Sequence, residues 1–312
     1  MKIAYPFVAV DWGTTHMRAM LCSAPDAILN DAEILVGPGI TRMERHPAEI
    51  LLELIAGWTA KHGKLDLLLG GMIGSALGWR ETPYQDCPTS PDMIAGNLLT
   101  FEERGHRVAI VPGVACTNTL GQPDVMRGEE IQVVGWMRRY RDDAQSQRLL
   151  CLPGTHTKWV SVDQGKLQRF VTSPTGELFS LLSKHSVLVK SSAPDEDKFD
   201  RKAFLEGIGL AARSEGQILH TLFSARSRSL RDPAGSGDTH SFLSGLLIGS
   251  DVVSTGLVET GQTGSVELIG VSSLCEKFQM ALESQGLRSR CTDGAAAAFS
   301  GFLAIASGEA LR

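Results

Sequence analysis

The sequence predicts an α/β protein of two domains built by duplication, with mixed sheets and flanking helices. Three observations lead there. Apolar, strand-like runs alternate with segments of helical periodicity. One device occurs twice, at Val8–Leu21 and Leu149–Val162: an apolar run, a Gly-Thr turn and a second apolar run. And 312 residues is more than one hydrophobic core usually organises.

Taken in order, Val8–Val10 arrives at Asp11, Gly13-Thr14-Thr15 turns the chain, and Met17–Leu21 leaves. This reads as two adjacent antiparallel strands joined tightly. Gly13 lets the backbone approach a bulky anion, and Thr14 and Thr15 offer hydroxyl and amide donors. Asp11, at the strand end, supplies the oxygen that a hydrated Mg²⁺ takes. A phosphate clamp and an ordinary polar hairpin both fit. Ala32–Val36 is a third strand. In Pro47–His62, Ile50, Leu51, Leu54, Ile55 and Trp58 mark one helix face, with Pro47 in the first turn and Gly63 as terminator. Leu65–Leu69 is a buried strand of a parallel or mixed sheet. It opens onto the Gly-rich loop Gly70–Ser75, which puts Gly74 and Ser75 at the edge where α/β sheets hold ligands. Trp79 and Tyr84, flanking Arg80, either line a sugar pocket or pack beneath their loop.

Val108–Val111 is another strand, stopped by Pro112-Gly113. Asp124, Glu129 and Glu130 stand where a helix should begin, as acids near an N-terminus do. They are either caps or chemistry. The helix Glu129–Tyr140 ends on Arg138, Arg139 and Arg141, and Arg141–Arg148 reads as a linker. Leu149–Val162 then repeats the opening device. Gly154-Thr155 forms its turn, His156 stands beside it, and Lys158 follows as Arg18 follows the first turn. Two copies a domain apart suggest one phosphate loop per half. Lys158 is either a point charge for a phosphate or a surface lysine. Leu167–Thr172 is a third strand, Thr175-Gly176-Glu177 starts an apolar helix, and Lys198–Thr221 is mostly helical. Asp238–Ser254 is a buried helix. Ser265–Gly270 is a strand and Ser272 caps a helix through Leu282, a strand–Gly–helix that can seat a nucleotide. Asp293 caps the Ala-rich helix Gly294–Ser307.

Composition bounds the chemistry. Hydrophobic residues make up 43% and charged residues 21%, as in globular proteins. The net charge of −5 argues against a surface for nucleic acid or membrane headgroups. The six cysteines are scattered without a CxxC pair, and several lie in apolar strand-like runs, where a reduced, packed thiol is expected. No secretory signal and no bilayer-length apolar run is present, so a cytoplasmic setting is expected. GxxxxGK[ST], HExxH, GxSxG and clustered Cys/His patterns are absent. The remaining kit of two Gly-Thr turns, an acid at a strand end and acids at a helix start fits phosphoryl transfer. That reaction needs charge neutralisation and positioning more than covalent help.

Asp11-x-Gly13-Thr14-Thr15-x-x-Arg18 is similar to the first phosphate motif of the sugar kinase, chaperone ATPase and actin superfamily. Pro123–Glu130, Pro153–Trp159 and Thr175–Phe179 together resemble the 2-dehydro-3-deoxygalactonokinase family along essentially the whole chain. The resemblance implies a two-domain actin-like, ribonuclease H-like fold around a cleft. It places residues 1–125 on the sugar-acid side and residues 126–312 on the adenosine side. It implies phosphorylation of 2-dehydro-3-deoxy-D-galactonate on its terminal hydroxyl with ATP and Mg²⁺, in galactonate breakdown. Asp11 would hold Mg²⁺, directly or through water. Thr14, Thr15, Gly154, Thr155 and Thr157 would hold phosphates with Gly13, Arg18, His156 and Lys158 beside them, and Gly270 and Ser272 would border adenosine. Glu177 of the third motif joins the substrate set. One departure stands out: much of the superfamily has an acid in the second loop, where this chain has His156.

Asp124 is favoured as general base, with Glu129 second, and such a base typically contributes ~10²–10⁴ in rate. The substrate carboxylate calls for a bidentate arginine, for which Arg18, Arg80 and Arg127 compete. Three other functions share parts of this kit: a phosphohydrolase of polyphosphate-like substrates, a kinase of the epimeric gluconate-derived acid, and a non-catalytic sugar-acid sensor. A homodimer is a common state for such enzymes.

Overall fold

The computed structural model describes residues 3–189, 199–232, 237–255 and 265–308. Two compact units organise the chain. One comprises Met1–Arg148, Val160–Val171 and Thr292–Arg312, the other Leu149–Trp159 and Thr172–Cys291.

The chain opens with β1 (Phe7–Trp12), β2 (His16–Cys22) and β3 (Ile34–Pro38), a meander whose first turn is the Gly-Thr-Thr segment. β1 and β2 pair antiparallel with Asp11 directly opposite Arg18. The predicted helix Pro47–His62 forms in two pieces, α1 (Pro47–Leu54) and α2 (Ala56–His62). Ile55 between them leaves the helical region at φ −91°, ψ 10°, so the apolar stripe continues although the helix does not. Gly63 ends α2 at φ +76°, where a side chain would be strained. This helical crossover is what a parallel return requires, and β4 (Asp66–Gly71) pairs parallel with β1.

Three elements that follow β4 have no sequence counterpart above: β5 (Tyr84–Asp86), α3 (Pro91–Gly96) and β6 (Leu99–Glu103). β7 (His106–Ile110) matches the expected strand near Val108. β8 (Gly113–Thr117) and β9 (Pro123–Met126) form a small three-stranded sheet with β5 in the order β5–β8–β9. Asp124 therefore stands on a strand, opposite Cys116, and not at the start of the following helix. That correction has a local cause. β-Branched Val125 and strand partner β8 hold the residues before Arg127 extended, and only Gly128, at φ +110°, lets the chain turn into α4 (Glu129–Arg139). The expected linker Arg141–Arg148 also changes character. It contains α5 (Arg141–Ala144), tied down by an Arg148–Asp143 ion pair of 2.7 Å.

β10 (Arg148–Leu152), β11 (Thr157–Asp163) and β12 (Lys166–Ser173) repeat the opening meander. Then follow α6 (Thr175–His185), α7 (Arg201–Arg213), α8 (Ile218–Thr221), α9 (Ser224–Arg231) and α10 (Thr239–Ser254). Lys198, the first residue of the expected Lys198–Thr221 helical region, lies outside the described residues. β13 (Val266–Gly270), α11 (Ser272–Ser284), β14 (Ser289–Asp293) and α12 (Gly294–Ser307) complete the chain. Asp293 caps α12 by accepting from the Ala296 amide at 2.8 Å. Ser272, expected to cap α11, is instead its first residue, and Val271 holds the cap position.

The two large sheets share one plan. The first runs β3–β2–β1–β4–β7–β6 and the second β12–β11–β10–β13–β14. In each, the third, second, first and fourth strands of the repeat are neighbours in that order, and the first and fourth pair parallel. This is the duplicated α/β arrangement of the actin-like, ribonuclease H-like fold. Val8, Val10, Leu67, Leu69, Val108 and Ile110 form one continuous core with Leu51, Ile55 and Trp58 of the crossover. Consistent with that burial, β4 is apolar from Leu67 onward, and its one charged residue, Asp66, pairs with Arg107. Cys22, Cys151 and Cys275 are buried, and all six cysteines are free thiols, as expected.

Candidate active site

The first Gly-Thr turn is held from one side by residues 39–41. The amides of Gly39, Ile40 and Thr41 donate to the carbonyls of Thr15, Gly13 and Thr14 at 3.0, 3.1 and 3.1 Å. The Thr41 hydroxyl adds a 2.9 Å bond to Thr14 O. The acceptors of the loop are thus consumed internally, while Thr14 and Thr15 stay exposed, an arrangement that suits an incoming anion. A Cβ on Gly39 would stand 2.3–2.5 Å from the backbone of Thr14, Thr15 and His16. Gly39 is a support the sequence reading missed; its signal is the Gly37-Pro38-Gly39 break directly after the third strand.

Asp11 closes β1 at the same edge. Its Oδ2 accepts from Arg18 at 2.8 Å, and both side chains keep solvent contact at 24% and 42% exposure. Arg18 thus neutralises Asp11, its cross-strand partner. Among the described residues no group of three or more His, Cys, Asp or Glu is placed to hold a metal ion. A single carboxylate at a strand end nevertheless fits Mg²⁺, which keeps waters and takes phosphate oxygens instead of entering an all-protein cage.

The register of β1 with β4 sets Asp11 opposite Gly70 and Trp12 opposite Gly71. The start of α4 packs onto that glycine pair. A Cβ on Gly70 would lie 2.1 Å from the Ile131 side chain, and one on Gly128 would lie 3.4 Å from the Gly71 Cα. The helix N-terminus carrying Glu129 and Glu130 therefore meets the C-terminal edge of the sheet that carries Asp11. Glu129 is half-buried. Glu130 is fully buried; its Oε2 accepts from the Gly128 amide at 2.6 Å, and its Oε1 has no hydrogen-bond partner among the described residues. Burial, reinforced by neighbouring Glu129, pushes its carboxyl up to about 8. Asp124 lies elsewhere, in the β8–β9 ladder, where its Oδ1 accepts from the Val125 amide at 2.9 Å and its Oδ2 from Asn118 at 3.4 Å.

The three candidate arginines separate clearly. Arg18 is spent on Asp11. Arg80 stacks on Phe101, 3.9 Å from the ring centroid, next to Trp79, which packs edge-on against both Phe101 and His46. Of the two environments open to Trp79, packing beneath the loop is the one observed. Ser75 turns its hydroxyl into the loop, donating to Met72 O at 2.7 Å. Arg127 is braced differently. Its two terminal nitrogens donate to the hydroxyl and carbonyl of buried Thr82, and its guanidinium lies 4.5 Å over the half-exposed Tyr84 ring. Its buried Nε has no hydrogen-bond partner among the described residues. A Cβ on Gly74 would stand 2.8 Å from Arg127 Nη1, so glycine there makes room for the guanidinium. Thr82 is a second residue that sequence reading missed, since an isolated threonine in a loop carries no signal of its own.

The second unit has its own edge. β10 and β13 run parallel, so the Pro153–His156 turn and Gly270–Ser272 emerge at the same end. A Cβ on Gly270 would contact Pro153 O at 3.5 Å. Thr155, His156 and Ser272 are exposed and Gly154 is half-buried. His156 Nε2 lies 2.8 Å from Glu177 Oε2, and the Glu177 amide donates to Thr155 O at 2.9 Å. Glu177, expected with the substrate, thus sits against the second loop. Lys158 is no surface lysine: it is 5% exposed and donates to Thr172 Oγ1 at 3.0 Å. The strand pairing of β11 draws it inward. Thr157 is wholly buried, and its hydroxyl has no partner among the described residues.

Comparison with known proteins adds a family to this geometry. The family model described as 2-keto-3-deoxy-galactonokinase matches residues 11–305. A Rhizobium meliloti (strain 1021) protein, "Probable 2-dehydro-3-deoxygalactonokinase DgoK1", is 31% identical over 308 residues, covering 98% of each chain. The Escherichia coli (strain K12) 2-dehydro-3-deoxygalactonokinase is 33% identical over 301 residues, covering 96% of this chain and 97% of its own. A structure described as "Crystal structure of a putative 2-dehydro-3-deoxygalactonokinase protein from Sinorhizobium meliloti" superposes with a TM-score of 0.82 at 31% identity, covering 96% of this chain and 95% of that one.

Proposed function

The chain belongs to the 2-keto-3-deoxy-galactonokinase family, and from that premise we propose that it transfers the γ-phosphate of ATP to the terminal (C6) hydroxyl of 2-dehydro-3-deoxy-D-galactonate, as a cytoplasmic step of galactonate breakdown. The observation that carries this reading is the convergence, within one unit, of Asp11, the glycine edge of β4, the N-terminus of α4 and Arg127. Phosphoryl transfer needs an anion clamp, a charge partner, a proton acceptor and a grip on the acceptor molecule, and that edge supports each role.

In the reaction as we propose it, Gly13, Thr14 and Thr15 hold phosphate oxygens through donors left over after residues 39–41 take the loop carbonyls. Gly154, Thr155 and His156 do so in the second unit, with Gly270 and Ser272 beside the adenosine. Asp11 holds Mg²⁺, which supplies charge neutralisation on the phosphates. Arg127, oriented by Thr82, grips the substrate carboxylate; its buried Nε–H supports that choice over Arg18 and Arg80. Glu129 takes the proton of the attacking hydroxyl. It is preferred to Asp124 because it heads the helix that abuts the Asp11 edge.

The test is ADP release from Mg-ATP with 2-dehydro-3-deoxygalactonate, its gluconate epimer, galactonate or water as acceptor. Release with the 2-keto-3-deoxy acids alone is expected. Release without acceptor supports a phosphohydrolase, and nucleotide binding without any release supports a sensor. Arg127→Ala is expected to raise the sugar-acid KM roughly ten- to a hundredfold, the scale of hydrogen bonds to a charged group, with the ATP KM unchanged. An unchanged sugar-acid KM removes Arg127 from the role. Glu129→Gln lowering kcat while Asp124→Asn does not would separate the two acids; the reverse restores Asp124.

A further inference from the structure

The second Gly-Thr loop is tied to a buried carboxylate that lies almost a hundred residues further along the chain. Asp251 is on α10 and 5% exposed. Its Oδ1 accepts from the Trp159 indole N–H at 2.9 Å and its Oδ2 from the Thr175 hydroxyl at 2.5 Å. The Ser173 side chain is a third hydrogen-bond partner. All three are neutral.

These partners flank the loop on both sides. Trp159 lies on β11, three residues beyond His156. Thr175 is the first residue of α6, and the next two residues touch the loop itself. A Cβ on Gly176 would meet Gly154 O at 2.4 Å and Thr155 Cα at 2.9 Å. The Glu177 amide and carboxylate reach Thr155 O and His156 at 2.9 and 2.8 Å. One carboxylate thus joins the strand that leaves the loop to the helix that backs it.

Stability alone is a poor reason for this arrangement. A buried charged or polar cluster is often replaced by apolar residues of similar volume without loss. What the carboxyl does here is offer one acceptor oxygen to each side, Oδ1 to Trp159 and Oδ2 to Thr175, whereas an amide has a single acceptor oxygen and a methyl group none. It therefore sets the distance between β11 and α6. We propose that Asp251 is a positioning residue for nucleotide binding: it holds the start of α6 against Gly154–His156 and so sets the spacing of the second loop's donors. The proposal rests on the reading of that loop as a phosphate seat.

Three variants of the full chain test it: Asp251→Leu, Thr175→Val and, as a control on the loop, Gly176→Ala. Affinity for a non-hydrolysable ATP analogue is measured by calorimetry, and the sugar-acid KM by ADP release. Asp251→Leu is expected to weaken analogue binding about tenfold or more, the scale of leaving buried donors unpaired, while the sugar-acid KM stays within about twofold. Thr175→Val, which keeps the side-chain volume, is expected to reproduce part of that loss and serves alone if Asp251→Leu does not fold. Wild-type analogue binding by folded Asp251→Leu and Thr175→Val overturns the proposal. So does a parallel loss of both affinities, which marks a merely structural role. Gly176→Ala tells the two failures apart. If it weakens binding where the other variants do not, the loop reading stands and the role of Asp251 falls. If none of the three weakens binding, the loop reading falls and the proposal with it.

Discussion

Gly39→Ala probes whether the geometry of the first loop matters to catalysis. Gly39 has φ −75° and ψ 176°, an extended conformation that alanine adopts without strain. The substitution therefore acts through contact alone. Its Cβ would stand 2.3 Å from the Thr15 carbonyl carbon, 2.4 Å from Thr14 O and 2.5 Å from His16 N. Ordinary contacts between heavy atoms lie at about 3.5–4.0 Å, so a displacement on the order of 1 Å is required. All three atoms are backbone, and no side chain can swing aside. Residues 39–41 are also joined to the loop by three hydrogen bonds of 3.0–3.1 Å from their amides, so the loop moves with them or those hydrogen bonds break. Overpacking of this kind costs about 1–3 kcal/mol of stability. A 1 Å misplacement of a positioning group costs up to about 10² in rate. The expected outcome is a folded enzyme of lowered Tm whose kcat/KM for ATP falls by about 10², read by ADP release at saturating sugar acid. Gly57→Ala, in α2 with nothing within 4 Å, is the control and is expected to be neutral or stabilising by up to about 1 kcal/mol. A folded Gly39→Ala enzyme with wild-type kcat/KM would refute the reasoning that residues 39–41 hold a catalytic loop.

Three further predictions follow from buried groups. The Glu130 carboxyl titrates near 4.5 when unperturbed and at about 8 in the fold. Between those values only the folded chain keeps the proton, so the stability it contributes is present at low pH and is lost as pH rises through that window. Urea midpoints of Glu130→Gln should show a shallower decline across it than wild type, and an identical slope would contradict the assignment. Gly135→Ala would put a Cβ 1.8 Å from Ala297 O, between α4 and α12, and should cost at least the ~1–3 kcal/mol of an overpacked core, measured by denaturant unfolding. Cys291 is exposed, whereas burial pushes the Cys22 thiol up to about 12. A thiol reagent followed by peptide mapping should therefore modify Cys291 first in the native protein, and prior modification of Cys22 would show that β2 opens readily.

Much of this protein is legible from one dimension of information. The repeated strand–turn–strand at Val8–Leu21 and Leu149–Val162 announces two sheets of one plan, because two adjacent apolar runs with a glycine at the turn specify a hairpin without help from distant residues. The same holds for Gly63 at the end of α2 and Asp293 at the start of α12, whose signals lie within a turn of their targets. The Pro123–Glu130, Pro153–Trp159 and Thr175–Phe179 motifs also carry the family. What lay beyond the sequence depends on partners remote in the chain. Asp124 reads as a helix-start acid until β8 claims its strand. Lys158 reads equally as a phosphate charge or a surface lysine until β11 enters the sheet and buries it. Choosing among Arg18, Arg80 and Arg127 requires knowing that Asp11, Phe101 and Thr82 are their respective neighbours, and only folding sets those pairings. Thr82 and Asp251 bear no mark in sequence, and the Gly37-Pro38-Gly39 break marks Gly39 only as a turn. Their roles are contacts made across 24 to 92 residues of chain, and such contacts are set by sheet register and helix packing, which local periodicity does not encode.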